Sequence, residues 1–80
     1  MTETEWFDIF RGNLQSIMDD RQMSRKELAQ ESGVSEPTLS RYLSGKVYVQ
    51  RLPSIKTIVN LSEALDCDIS DLCDFGEPID

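Results

Sequence analysis

The spacing of apolar residues, interrupted at regular intervals by helix-capping residues, most strongly constrains how this chain can fold. Apolar side chains recur every three or four residues along nearly all of its 80 residues. The strict alternation typical of a strand is almost confined to residues 47–49. The spacing therefore predicts an all-α fold.

Capping residues divide this pattern into five predicted helices. A hydroxyl residue followed three positions later by Glu occurs at Thr2 and at Ser24, and this pattern is typical of a capping box. Further N-cap candidates are Ser35, Ser54 and Asp68. The predicted helices cover residues 5–20, the segment between Ser24 and Gly33, Ser35 to Ser44, a segment after Ser54, and Asp68 to Cys73, all within one compact five-helix domain over residues 1–80.

Composition narrows the classes of function. No apolar run approaches the roughly 20 residues that span a bilayer, and the N-terminus is acidic, so we expect a cytoplasmic protein without a membrane partner. Histidine is absent, and the chain has no phosphate-cradling glycine loop, so we expect no enzyme activity, no metal site and no cofactor. Cys67 and Cys73 are expected to be reduced.

The segment over residues 24–44 has the pattern of a helix-turn-helix, two short helices joined at a glycine. Ala29 is small where the two helices approach each other, and Gly33 can adopt the positive φ that the turn requires. Apolar spacing predicts that one side of the pair is buried, through Leu28, Val34, Leu39 and Tyr42.

The other side of the second helix in this pair is short, polar and free of bulky apolar groups. A major groove admits one helix, and hydrogen-bonding side chains read the base edges there, so this face is typical of one that reads DNA. Thr38 is predicted to pack rather than to contact DNA. The residues predicted to face outwards are Ser35, Glu36, Pro37, Ser40, Arg41 and Ser44.

Five linked motifs in this order resemble the Cro/CI-type (lambda-repressor-like, Xre) family of bacterial and phage regulators. They are Met23-Ser24-x-x-Glu27-Leu28-Ala29, Gly33-Val34-Ser35-x-x-Thr38-Leu39-Ser40-Arg41-Tyr42, Ser44-Gly45-Lys46, Leu52-Pro53-Ser54 and Leu61-Ser62-Glu63-Ala64-Leu65. The resemblance implies a sequence-specific, repressor-like regulator whose third helix enters the major groove of a double-stranded operator, usually as a homodimer. Apolar residues near the C-terminus are the candidate dimer surface: Ile69, Leu72, Cys73 and Phe75.

The resemblance also assigns roles to individual residues. Arg25, Lys26, Lys46 and Arg51 are candidates for phosphate contacts. Many family members carry Gln at the positions of Arg25 and Glu36, and here we expect an ion pair between them. Glu36 can also accept from a cytosine amino group, and Pro37 can contact a thymine methyl.

The net charge of the chain favours a second interpretation of its function, which is binding to a partner protein. Eight basic residues stand against fifteen acidic ones, a formal charge of −7, which opposes binding to nucleic acid. The charges are segregated, however: residues 21–56 hold seven basic and three acidic side chains, and the acids concentrate elsewhere, including an acidic tail over residues 74–80. A DNA-binding regulator is therefore the first hypothesis, and an anti-repressor or antitoxin-like module that binds a protein through its acidic surface is the alternative.

Overall fold

The computed structural model describes residues 2–44 and 53–73, and five α-helices lie within them. The helices are α1 (Glu3–Arg21), α2 (Arg25–Ser32), α3 (Glu36–Ser44), α4 (Ile55–Ala64) and α5 (Ile69–Leu72). Neither described stretch contains a strand, and the all-α prediction is confirmed. The predicted loop residues Lys46 and Arg51, and the acidic tail over residues 74–80, lie outside the described residues.

Helix α1 begins two residues earlier than predicted because its capping box is complete. Thr2 Oγ1 accepts the backbone N–H of Glu5 at 3.1 Å, and the Glu5 carboxylate accepts the backbone N–H of Thr2 at 3.1 Å. The helix therefore starts directly after Thr2, at Glu3. The hydrogen bonds from Thr2 also hold the pKa of the Glu5 carboxyl below its ordinary value.

A single hydrophobic core joins the five helices. Most apolar residues at helical spacing are buried or partly buried in it. The Ile55 side chain shares this spacing but is 80% exposed, because Ile55 is the first residue of α4 and lies one turn ahead of the buried Ile58. The buried residues of this core are Phe7, Phe10, Leu14, Met18, Leu28, Leu39, Tyr42, Ile58, Leu61, Leu65 and Leu72.

An aromatic cluster on α1 fixes the position of α3. The Tyr42 ring of α3 lies 6.0 Å from Phe10 in a T-shaped arrangement and 6.2 Å from Phe7. Trp6 stacks on Phe10 with the ring centroids 5.1 Å apart. Such ring pairs add to the free energy gained from burial alone. One face of α3 is thus held against α1.

Hydrogen bonds of long sequence separation connect α1 to the second half of the chain. Asn13 Nδ2 donates to the carbonyl of Leu72 at 2.9 Å, and Arg21 Nε donates to the carbonyl of Leu65 at 3.0 Å. The second bond satisfies a carbonyl at the C-terminal end of α4, which has no partner within the helix. Across the described residues, no helix is long and apolar enough to cross a membrane.

Candidate nucleic-acid interface

Helices α2 and α3 form the predicted helix-turn-helix, and local hydrogen bonds define both ends of α2. Ser24 Oγ accepts the backbone N–H of Glu27 at 3.1 Å, and the Glu27 carboxylate accepts the backbone N–H of Ser24 at 3.1 Å. Gly33 ends the helix with φ +77°, where a residue with a Cβ would be strained. Ser32 Oγ accepts the backbone N–H of Val34 at 3.1 Å and so stabilises the turn.

Leu28 of α2 and Leu39 of α3 are both fully buried, so the apolar sides of the two helices face the core as predicted. Every exposed residue of α3 and its cap is one that was predicted to face outwards, and Ser40 is half-buried like Thr38 and Leu43. The other predicted residues are exposed: Ser35, Glu36, Pro37, Arg41 and Ser44. The structure thus brings together the six predicted contact residues of α3 on one polar surface, which we call the α3 outer face.

Three residues of the α3 outer face and its edge are linked by hydrogen bonds. Ser35 caps the helix by accepting the backbone N–H of Thr38 at 3.3 Å, and the two hydroxyl oxygens lie 2.7 Å apart. Arg41 Nη2 donates to Thr38 Oγ1 at 3.3 Å. Thr38 is half-buried, and beyond the predicted packing its hydroxyl lies within hydrogen-bond distance of polar groups on both sides. Its spacing of three residues from Ser35 and from Arg41 is the sequence signal that could have revealed this.

The predicted ion pair between Arg25 and Glu36 is wrong. Arg25 Nη1 instead lies 3.5 Å from Ser40 Oγ, a long hydrogen bond between α2 and α3. Both residues are described, and no ion pair joins them. Since Ser40 lies one helical turn after Glu36, a long arginine side chain starting from α2 can reach either position. The Glu36 carboxylate is left exposed to solvent at the first turn of α3.

Ser44, the last predicted contact residue of α3, also has a structural role. Its hydroxyl donates to the carbonyl of Arg41 at 2.9 Å and so satisfies one of the final carbonyls of the helix. Ser44 is exposed, so this structural role leaves it at the α3 outer face.

Exposed cations lie near the start of α2 and on α3. Arg25 and Lys26 occupy the first two positions of α2, and both are exposed, as is Arg41. Arg21, which the sequence placed in the same basic segment, binds backbone carbonyls at the end of α4 instead. The basic surface of the helix-turn-helix is therefore smaller than the charge count along the chain predicted.

Acidic residues form a separate surface around the end of α1, the end of α4 and α5. All of them are exposed, and we call them the acidic surface: Asp20, Glu63, Asp66, Asp68 and Asp71. Two open clefts lie there, and both are lined by Cys67 and Asp71. Arg21 lines one of them, which explains its absence from the basic surface.

Both cysteines are free. Burial raises the pKa of the Cys67 thiol, the nearby Asp71 raises it further, and Arg21 partly opposes the shift. Burial alone raises the pKa of Cys73. Both thiols therefore stay protonated at neutral pH and are poor nucleophiles. Across residues 2–44 and 53–73, no cluster of three or more His, Cys, Asp or Glu residues could hold a metal ion.

Comparison with known families places this arrangement in context. A family model described as the Cro/C1-type HTH DNA-binding domain matches residues 13–77. The match covers the helix-turn-helix, α4 and α5. Searches of curated proteins and of solved structures gave no significant match.

Proposed function

The chain belongs to the Cro/C1-type helix-turn-helix DNA-binding domain family, and from this premise we propose that it is a sequence-specific transcriptional regulator, acting as a repressor. The observation that carries this proposal is the α3 outer face. It combines hydroxyl, carboxylate and guanidinium groups with one proline, and no bulky apolar side chain lies on it. The family is typically non-enzymatic, and a DNA-binding domain implies a location in the cytoplasm or nucleoid.

Each group on the α3 outer face suits a particular base edge. The Arg41 guanidinium can donate two parallel hydrogen bonds to O6 and N7 of guanine. The exposed Glu36 carboxylate can accept from the amino group of cytosine, and Pro37 can contact a thymine methyl. Ser35, Ser40 and Ser44 can bind either base edges or phosphates.

Arg25 and Lys26 are proposed to bind phosphates beside the groove. Both are exposed at the start of α2, where unpaired backbone N–H groups also attract anions. Phosphate contacts release counterions, so affinity should fall steeply with salt. Lys46 and Arg51 are proposed to add to these contacts, although they lie outside the described residues.

We propose further that the regulator binds its operator as a homodimer. The candidate dimer surface is narrower than predicted, because Leu72 is fully buried in the core. Ile69 of α5 is 44% exposed and Cys73 is half-buried, so both can contribute, whereas Phe75 lies outside the described residues. Two-fold symmetry would place two copies of α3 in successive major grooves.

The alternative function, binding of a partner protein, is favoured by one observation. The acidic surface is exposed and contiguous with two open clefts. As an anti-repressor or antitoxin-like module, the chain would attract a partner protein with a basic surface there.

Selection of bound duplexes from a random pool separates these two functions. At about 100 mM salt, where non-specific attraction is weakened, we expect enrichment of a palindromic motif. A palindrome would support both base reading and dimerisation. An unenriched pool would contradict the DNA-binding proposal and favour a protein partner. An enriched motif without a palindrome would support base reading by a monomer.

A further inference from the structure

We propose that Thr38 is a positioning residue for Arg41: its hydroxyl sets the direction in which the guanidinium meets a base pair. This inference rests on the proposed function, since it concerns how the α3 outer face reads DNA. It assigns to Thr38 an effect on sequence preference without direct contact with a base. Its basis is the hydrogen-bonded row formed by Ser35, Thr38 and Arg41.

These three residues are spaced by three along α3 and its cap, so their side chains follow one another along the helix surface. Arg41 Nη2 donates to Thr38 Oγ1 at 3.3 Å. Since Thr38 Oγ1 accepts from Arg41, its own proton can go to Ser35 Oγ, which lies 2.7 Å away. The three groups then form a chain in which each bond strengthens the next.

The chain turns Arg41 back toward the N-terminal end of α3. Arg41 itself lies in the last turn of this nine-residue helix, yet its guanidinium reaches the side chain of Thr38 in the first turn. In helix-turn-helix proteins the N-terminal residues of the recognition helix contact the base edges. The bond to Thr38 thus holds the guanidinium near the end of α3 where bases are read.

Restraining the Arg41 side chain in the free protein reduces the conformational entropy that the side chain loses when DNA binds. An exposed arginine has many rotamers, and immobilising one such side chain at an interface lowers affinity by an amount on the order of threefold to tenfold. A guanidinium already restrained by Thr38 avoids part of this loss. The restraint also favours one base pair over its neighbours, because the fork of the guanidinium must meet guanine in a fixed plane.

The hydroxyl of Thr38 can be removed without removing the cap of α3. Ser35 Oγ accepts the backbone N–H of Thr38, and any side chain at position 38 keeps that N–H except proline. Valine has nearly the shape of threonine and suits a half-buried position. Thr38→Val therefore separates positioning from folding, and Thr38→Ser is the matched control that retains the hydroxyl.

The first test needs no DNA. Nitrogen relaxation of the Arg41 Nε–H group in the free protein reports how strongly the side chain is restrained. We expect its order parameter to fall in Thr38→Val and to stay at the wild-type value in Thr38→Ser, with equal thermal midpoints for all three proteins. An unchanged order parameter in Thr38→Val overturns the inference, whatever the protein binds.

The second test measures sequence preference on the duplex that the wild-type protein selects. We expect Thr38→Val to lose about threefold to tenfold in affinity, with weakened discrimination at the base pair whose preference Arg41→Ala also removes. In an Arg41→Ala background, Thr38→Val should change nothing further. If Thr38→Val lowers affinity equally in the wild-type and in the Arg41→Ala protein, the inference is overturned, but the proposed function is not. If the wild-type protein selects no duplex, the proposed function itself is overturned.

Discussion

Arg41→Ala is expected to lower affinity for the selected duplex by about tenfold to a hundredfold, because it removes a paired contact with a base. The fold should be unaffected, since Arg41 is exposed and the core contacts of α3 come from Leu39 and Tyr42. Fluorescence anisotropy with a labelled duplex measures the affinity, and thermal unfolding measured by circular dichroism checks the fold.

Two matched variants show which property of Arg41 is needed. Arg41→Lys keeps the charge but loses the planar fork, so we expect it to restore general attraction to DNA without restoring base preference. Lys26→Ala removes an exposed charge from α2 and should weaken binding to all duplexes to a similar extent. Wild-type affinity and preference in Arg41→Ala would contradict the role assigned to this residue.

Phe10→Ala is expected to destabilise the domain by about 3–5 kcal/mol, because it leaves a large cavity in the core. Phe10 is fully buried and contacts the rings of Trp6 and Tyr42, so its removal also loosens the attachment of α3 to α1. Small domains have little stability in reserve, and a loss of this size approaches the whole free energy of unfolding. Urea unfolding followed by circular dichroism measures the change.

Ile55→Ala is the matched control for this prediction. It also truncates a large apolar side chain, but Ile55 is 80% exposed. We expect its free energy of unfolding to stay within about 0.5 kcal/mol of the wild-type value. A Phe10→Ala protein that unfolds at the wild-type urea midpoint would show that the aromatic cluster does not hold the helices together.

The helices could be predicted from the sequence because their signals are local. Thr2 and Ser24 form capping boxes with residues only three positions away, and Gly33 supplies the positive φ at the end of α2. Apolar spacing likewise predicted the buried faces, since a helix with a 3.6-residue repeat brings such residues to one side. Ile55 has the apolar spacing but is exposed, because the spacing does not show which turns of α4 contact the core.

The partners of long polar side chains could not be predicted in the same way. Arg25 can reach more than one acceptor on α3, and the choice of Ser40 over Glu36 depends on how the two helices are rotated against each other. Arg21 appeared to belong to the basic segment, but the packing of α1 against the end of α4 places backbone carbonyls beside it. Both outcomes follow from tertiary geometry, which sequence spacing does not contain.

The net charge of the chain does not describe the charge on each surface of the folded protein. The chain carries −7 overall, but three of its exposed cations, Arg25, Lys26 and Arg41, lie on the helix-turn-helix. The same two helices also carry the exposed acids Glu27, Glu31 and Glu36. The acidic surface is formed by other helices, and charges more than about 8 Å apart are largely screened at physiological salt. An acidic protein can therefore still present a local surface that binds DNA.

Amide chemical shifts recorded while the selected duplex is added test most directly whether α3 reads DNA. We expect the largest shift changes at residues 35–44 and at Arg25 and Lys26, and much smaller ones when a duplex of scrambled sequence is added at the same salt concentration. Changes centred on the acidic surface, or equal changes with the two duplexes, would contradict the conclusion that the α3 outer face recognises a specific sequence.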